Sequence, residues 1–154
     1  MNFTMKMRLL ILAVVGLLSG ACNRQASAPV APKTELDRFQ GTWYLVKAMQ
    51  DGKSLAEDKV KQTTIVYKGD TFRYPGSTEN ATSKEGTIKL DETKTPKEID
   101  AISTEKVALL GIYAMDEGGY KVSFAPEGKP RPTALGSAPG SGYILQVWAR
   151  QKNH

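Results

Sequence analysis

Few side chains in this chain of 154 residues could carry out covalent or metal chemistry. There is one cysteine, Cys22, and one histidine, His154, which is the last residue. A nucleophilic serine or cysteine needs a positioned base, and a histidine at a chain end frays with that end. Zinc sites need several clustered Cys or His ligands. We therefore predict no metal site and no pair of a nucleophile with a histidine.

Carboxylates are the remaining groups that could act as general acid or base. Several flank one predicted loop and two more lie in a predicted hairpin turn: Asp91, Glu92, Glu98, Asp100, Asp116 and Glu117. Acidic residues are common in turns, and nothing in their spacing pairs them across a cleft. No glycine-rich phosphate loop follows a strand and opens a helix. We predict no catalytic residue and no cofactor; an enzyme that uses carboxylates alone is the least favoured class.

The net charge argues against nucleic acid as a partner. The whole chain carries +5, and from Cys22 onward 19 Lys and Arg stand against 16 Asp and Glu. This excess is small and scattered, whereas nucleic-acid-binding domains cluster their basic residues. The composition, 40% hydrophobic and 24% charged, suits one globular domain.

The N-terminal segment is typical of an export signal. Lys6 and Arg8 precede the run Leu9–Leu18, which is about half of the roughly 20 apolar residues that a membrane-spanning helix needs. The sequence Leu18-Ser19-Gly20-Ala21-Cys22 resembles a bacterial lipobox, which implies a signal peptide over residues 1–21 and lipidation of Cys22. The alternative is a plain signal peptide that leaves Cys22 as a free thiol. Lipidation is favoured because an unpaired exported thiol is reactive.

The segment after the cysteine is predicted to be a tether. It reads NRQASAPVAPKTE and contains one valine and no aromatic residue, which is too little apolar surface to fold. We expect residues 22–35 to form the lipidated cysteine and a flexible tether, and residues 36–154 to form the folded domain. The lipoprotein resemblance, with Asn23 after the cysteine, implies a cell-envelope protein anchored in the outer membrane and facing the periplasm. The membrane is thus a predicted partner through Cys22.

Alternation of apolar and polar residues predicts eight short strands. They are Thr42–Met49, Thr63–Tyr67, Thr71–Tyr74, Gly86–Leu90, Glu98–Ser103, Leu109–Met115, Tyr120–Phe124 and Tyr143–Arg150. One short helix is predicted after the first strand, from about Leu55 to Lys61, because Ser54 and Glu57 match a capping box. This order indicates an all-β fold, either an eight-stranded antiparallel barrel or a sandwich.

The connection before the last strand, Ala125–Gly142, is 18 residues long and contains four prolines. Loops longer than about 12 to 15 residues are usually functional or disordered. Two interpretations stay open: a strap stiffened by proline on the outside of the barrel, or a lid or partner-binding loop that carries Arg131.

Aromatic residues at alternating positions are predicted to point into the barrel. An eight-stranded barrel is just wide enough to be filled by side chains or to hold one small ligand, and the sequence does not decide between these outcomes. The candidate ligand-binding residues are Tyr67, Phe72, Tyr74, Tyr120, Phe124 and Arg131.

The start of the first strand, Gly41-Thr42-Trp43, is similar to the Gly-x-Trp signature of the lipocalins, or calycins. The resemblance implies a lipocalin-like barrel in which Trp43 closes one end and Arg150 stacks across it. These two residues are then a structural end-cap and not a binding site. A guanidinium over an indole ring contributes about 0.5 to 2 kcal/mol.

A longer resemblance covers most of the predicted domain. Its blocks occur in one order: Leu36–Trp43, Gly86–Asp91, Thr95–Asp100, Leu110–Tyr113, Phe124–Pro126, Gly128–Thr133 and Pro139–Gly142. On these blocks the chain is identified as a member of an uncharacterised lipocalin-like domain family expanded in planctomycetes. Ser123 stands where members often have cysteine, so no role for that thiol carries over. The family has no established activity, so the resemblance implies a fold and leaves the function open.

Two functions follow from these expectations. The first is a lipid-anchored binding module that takes a small apolar or amphipathic ligand in the barrel mouth. The alternative is a protein-interaction or inhibitor module with a packed barrel, which contacts an envelope protein through its surface loops. A lumen cavity of about 300 Å³ or more favours the first, and a filled lumen favours the second.

Overall fold

The computed structural model describes residues 33–75 and 85–151. The strands of these residues are β1 Gly41–Gln50, β2 Lys53–Ser54, β3 Thr64–Lys68, β4 Thr71–Arg73, β5 Glu85–Asp91, β6 Lys97–Ser103, β7 Ala108–Met115, β8 Gly119–Phe124 and β9 Ile144–Ala149. The helices are α1 Glu35–Phe39, before β1, and α2 Glu57–Gln62, between β2 and β3.

The strands close into a ring. Each of β3 to β9 pairs antiparallel with its neighbour in the chain, and β1 pairs antiparallel with both β3 and β9. The ring therefore contains eight strands, while β2 only extends one end of β1 by two residue pairs. The predicted eight-stranded antiparallel barrel is confirmed. Closure leaves its main-chain groups paired on both sides of each strand.

Apolar residues at every second position of the strands form the core. Tyr67 of β3 and Phe72, opposite it on β4, are both buried. Tyr120 and Val122 of β8 are buried in the same core, and Phe124 packs at its margin. Because successive side chains of a strand point to opposite faces, these residues share the inward face.

The helix after β1 begins differently from the prediction. Ser54 belongs to β2 and pairs with Met49 of β1, so its hydroxyl does not lie at the helix start. Ala56 is the N-cap of α2, and it provides no side-chain hydrogen bond. The predicted capping box is wrong because main-chain pairing with β1 holds Ser54 in an extended conformation.

A capping box does start the other helix, α1, which was not predicted. The Asp37 main-chain N–H donates to the Thr34 hydroxyl oxygen at 3.1 Å, and the Thr34 N–H donates to the Asp37 carboxylate at 2.9 Å. These bonds satisfy two main-chain donors at the helix start. The five-residue helix ends with Phe39, which is fully buried.

The two barrel ends differ. Helix α1 lies against the turns that follow β3 and β7, because Gln40 exchanges hydrogen bonds with Gly69 and Arg38 donates to the Asp116 carbonyl. We call this the capped end. The other end, where β4, β6 and β8 finish, we call the distal end.

Candidate functional site

Aromatic side chains fill the capped half of the lumen. Phe39 of α1 makes edge-on contacts with Tyr67, Tyr113 and Tyr120 at ring-centroid distances of 5.3, 5.4 and 4.9 Å. Trp43 lies edge-on to Tyr120 at 4.9 Å. Edge-to-face packing is a favourable arrangement of aromatic rings. These rings therefore contact one another as core in the half of the barrel that α1 closes.

Two tyrosine hydroxyls are paired inside this cluster. The hydroxyl oxygens of Tyr67 and Tyr120 lie 2.9 Å apart, and either one can donate the hydrogen bond. Burial raises the pKa of both phenols well above their ordinary value, so both remain neutral. The pair meets its hydrogen-bonding need within the protein.

The distal half of the lumen contains a small cavity. Its volume is about 90 Å³, and a deeper crevice that shares several lining residues adds about 20 Å³. Burial raises the pKa of the Tyr74 phenol beside it to about 12. The cavity wall includes Phe72, Tyr74, Phe124, Ile144 and Gln146. Thus the five aromatic residues predicted to line a ligand site do lie in or against one lumen core, and a cavity of only about 90 Å³ is left there.

Arg150 and Trp43 meet at the capped end. The guanidinium carbon of Arg150 lies 3.6 Å from the Trp43 ring centroid, and Trp43 is 2% exposed. The guanidinium also donates to the carbonyl oxygens of Gln40 at 2.5 Å and Arg38 at 2.6 Å. The last carbonyls of a helix have no partner within it. Arg150 therefore ties the end of α1 to the last strand, which is the geometry of a structural plug.

A buried carboxylate lies beside this plug. Glu35 Oε1 is 2.7 Å from Arg38 Nη1 and 3.1 Å from Lys97 Nζ. Burial alone raises the pKa of Glu35, but hydrogen bonds and charge from Lys97 and Arg38 outweigh burial and lower it. Burial, with the nearby Glu35 charge, raises the pKa of the Tyr113 phenol. Sequence reasoning missed this cluster because it assigned Glu35 to the tether.

Arg131 lies on the outer wall of the barrel, apart from the five lumen aromatics that were predicted with it as candidate ligand-binding residues. Arg131 Nη1 donates to the carbonyl oxygens of Ile99 at 3.2 Å and Gly111 at 2.6 Å. Its guanidinium also lies 2.7 Å from Asp100 Oδ1 and 3.3 Å from Glu98 Oε2. Neighbouring Ile99 points inward, so the two carboxylates point outward and hold Arg131 on the outer wall.

The connection around Arg131 is a strap on the outer wall, which was one of its two predicted interpretations. The Ser123 hydroxyl, fully buried beneath it, donates to the Gly136 carbonyl at 3.1 Å and accepts from the Gly136 N–H at 2.8 Å. Ile112, which pairs with Ser123, is also buried. Nearer the distal end, the Ser137 hydroxyl accepts from the Gly52 N–H. The strap therefore covers part of β7 and β8 and is fastened along its length.

A groove on another part of the outer wall was not predicted. It crosses β4, the shortest strand of the ring, and has a volume of about 490 Å³. We call it the outer groove; its lining includes Val66, Lys68, Arg73, Glu85, Ile102 and Lys106. In the sequence these residues have the pattern of a strand face that points to solvent. The alternation of polar and apolar residues does not show whether that face is flat or concave, so the groove could not be predicted from it.

The remaining predictions concern metals, membranes and the chain ends. Within residues 33–75 and 85–151, no group of three or more His, Cys, Asp or Glu is placed to hold a metal ion. In the same ranges no helix has the length and apolar character to cross a membrane. The predicted signal peptide, the predicted lipidation site Cys22 and His154 lie outside the described residues. No protein-family model, curated protein or solved structure matches this chain.

Proposed function

We propose that this protein is an interaction module of the cell envelope, whose packed barrel contacts a partner protein through its outer surface. The observation that carries the proposal is the packing of the lumen, where a cavity of about 90 Å³ remains. Ligand pockets usually enclose about 300 to 1,000 Å³. A cavity of this size holds roughly three water molecules at about 30 Å³ each. A fatty acid or quinone would have to displace core rings.

The fastening of the outer wall supports the same proposal. The strap is held by Arg131 and by the Ser123–Gly136 hydrogen bonds, so its surface is ordered before any partner arrives. A preformed surface loses less conformational entropy on association than a mobile one. Recognition by the outer wall therefore needs no opening of the barrel.

A thermal-shift screen separates this function from a ligand-binding one. Fatty acids, quinones and aromatic metabolites should leave the unfolding midpoint unchanged. A ligand at 100 times its dissociation constant would add about 2.7 kcal/mol, which is several degrees for a domain of this size. A shift that disappears in Ala101→Leu, which fills the cavity, would instead support a lumen ligand.

The interaction itself is tested in the native host by site-specific photo-crosslinking. The crosslinking residue replaces the outward-facing Lys47, Thr87 or Lys121 in turn. A single envelope protein should be captured from at least one of these positions. If none of the three captures a protein, the proposed function is wrong.

We also propose that Cys22 is lipidated and anchors the module in the outer membrane, facing the periplasm. The support is the lipobox-like segment and the tether after it, and several acyl chains hold a domain far more firmly than one. Wild-type protein should fractionate with membranes and carry the added acyl mass, whereas Cys22→Ala should not be acylated. Soluble, unacylated wild-type protein would refute the anchor.

Membership in the lipocalin-like family expanded in planctomycetes belongs to the same proposal. Its support is the block order in the sequence and the position of Arg150 over Trp43, where the lipocalin resemblance places such a pair. Membership in such a family would not specify an activity, because proteins of one fold have many functions. The function would then depend on the surface residues of this barrel.

A further inference from the structure

We propose that the outer groove is the docking surface of this module and that it binds an extended protein segment in which acidic and apolar side chains alternate. This inference rests on the proposed function and specifies the part of the outer wall that acts. The observations that carry it are the shape of the groove, its apolar floor and three cations that have no ion-pair partner among the described residues.

The floor of the groove is apolar and is formed by residues of β3 and β6. Val66 of β3 and Ile102 of β6 are each half-buried, although both point away from the core. Between them, Thr71 of β4 pairs with Thr87 of β5, which in turn pairs with Ile102. The volume of about 490 Å³ is enough for several side chains of a partner. A half-buried apolar floor in a groove is a usual feature of recognition sites.

Three basic side chains line the groove, and its arginine differs from the other arginines in the described chain. Lys68, Arg73 and Lys106 line it, and within residues 33–75 and 85–151 none of them has a carboxylate at ion-pair distance. The other arginines in these ranges are engaged by carboxylates or main-chain carbonyls: Arg38, Arg131 and Arg150. Glu85 is the acidic residue of the lining. The surface therefore carries excess positive charge that a partner can neutralise.

Lys106 is held at this rim in an unusual main-chain conformation. Its φ is +69°, in the left-handed region that disfavours residues with a side chain. The turn is fixed by Ser103, whose hydroxyl oxygen accepts from the Val107 N–H at 3.1 Å and whose carbonyl accepts from the Lys106 N–H at 3.0 Å. Glycine suits such a position better. Position 106 nevertheless carries a lysine, which places a cation at the rim of the groove although the main-chain conformation favours glycine.

Shape and charge together select the occupant. A bilayer is flat and cannot contact the floor residues Val66 and Ile102. A fatty acid carries a single negative charge and cannot neutralise three separate cations. An extended segment directs successive side chains to opposite sides at about 3.3 Å per residue. It can place apolar groups on the floor and several carboxylates near Lys68, Arg73 and Lys106. Electrostatic complementarity of this kind sets both specificity and association rate.

The probe is a fluorescein-labelled ten-residue peptide of five Glu-Val repeats, titrated with the purified full-length chain and followed by anisotropy. We expect saturable binding that weakens with salt. The triple variant Lys68→Gln/Arg73→Gln/Lys106→Gln should bind at least tenfold more weakly. The matched triple variant Lys47→Gln/Lys53→Gln/Lys121→Gln changes the net charge equally, lies outside the groove lining and should stay within twofold of wild type.

Further variants separate groove binding from general charge attraction. Ile102→Ser should weaken the Glu-Val peptide while its circular dichroism stays that of wild type, and a peptide of five Glu-Ser repeats should bind less tightly. Equal weakening by both triple variants would overturn the proposal, as would no binding at 1 mM peptide. Palmitate that displaces the peptide, or anionic phosphatidylglycerol vesicles that bind through the same three cations more tightly, would also overturn it.

The crosslinking positions distinguish failure of this inference from failure of the proposed function. Capture of an envelope protein from Lys47 or Lys121 but not from Thr87, beside the groove floor, leaves the interaction module intact and refutes the groove. Capture from none of the three refutes both. Capture from Thr87 that is lost in the groove triple variant supports both.

Discussion

Replacing Arg150 with alanine tests whether the plug at the capped end holds the barrel together. The substitution removes the guanidinium 3.6 Å above the Trp43 ring and the two hydrogen bonds to the carbonyls of Gln40 and Arg38. It also leaves the end of α1 without its tie to β9. The helix has five residues, too few to be stable without tertiary contacts.

The expected loss is worked from these contacts. The cation–π contact contributes about 1 kcal/mol, since Trp43 is buried but Arg150 is exposed to water. Each hydrogen bond contributes a net amount of about 0.5 to 1 kcal/mol at such a site. Arg150→Ala should therefore lower the free energy of unfolding by about 2 to 3 kcal/mol, or the melting temperature by about 10 °C.

Urea unfolding followed by tryptophan fluorescence measures this loss, because Trp43 and Trp148 are both buried. Arg150→Lys keeps a cation but loses the planar fork, so it should fall between wild type and Arg150→Ala. Arg73→Ala is the matched control, because Arg73 is exposed and has no ion pair with any residue that the structure describes. A loss below about 0.5 kcal/mol for Arg150→Ala, or an equal loss for Arg73→Ala, would refute the reasoning.

Three more predictions concern the capped end, the lumen and the strap. The partners of Glu35 lower its pKa from 4.5, so the stability that Glu35 contributes is fully present above pH 4.5 and is lost as the pH falls through the lowered pKa. Between pH 7 and pH 3 the urea midpoint of Glu35→Gln should therefore fall less steeply than that of wild type. Parallel pH profiles of the two proteins would contradict this. Tyr67→Phe leaves the buried Tyr120 hydroxyl without its partner and should cost about 1 to 2 kcal/mol in thermal unfolding; an unchanged midpoint would mean that another group replaces it. Arg131→Met should release the strap, so that proteolysis of the strap and hydrogen exchange of the Gly136 amide both become faster. An unchanged exchange rate would mean that the strap is held without Arg131.

The strands could be predicted because their signal is local. Lys121, Val122 and Ser123 alternate in character along β8, and a period of two is visible in any short window. Hairpin connections such as Asp116-Glu117-Gly118-Gly119 are equally local, and the structure has β7 and β8 paired across that turn. The order of eight such strands then indicated antiparallel pairing with chain neighbours.

The helix starts show where a local signal is ambiguous. Ser54 and Thr34 both precede an acidic residue three positions later, and both match a capping box. Only Thr34 caps a helix, since Ser54 is held by pairing with Met49 in a neighbouring strand. The choice between them depends on a main-chain partner that the four-residue pattern does not contain.

By itself the sequence determined the period of the strands, their order, the inward set of aromatic residues and the scarcity of groups for nucleophilic or metal chemistry. These properties belong to single residues or to neighbours in the chain. Whether the lumen is full was decided by tertiary structure, because it depends on volumes contributed by every strand and by Phe39 of a helix that was not predicted.

Tertiary structure also decided which polar groups are engaged. Arg150 and Gln40 are 110 residues apart in the chain and Arg131 and Ile99 are 32 apart, yet each pair is joined by a hydrogen bond. Arg73 has the same side chain and no ion-pair partner within residues 33–75 and 85–151. The residue type determines what an arginine can bind. The closure of the barrel sets which carbonyls and carboxylates come within about 3 Å of it, and that distance decides whether the arginine stabilises the fold.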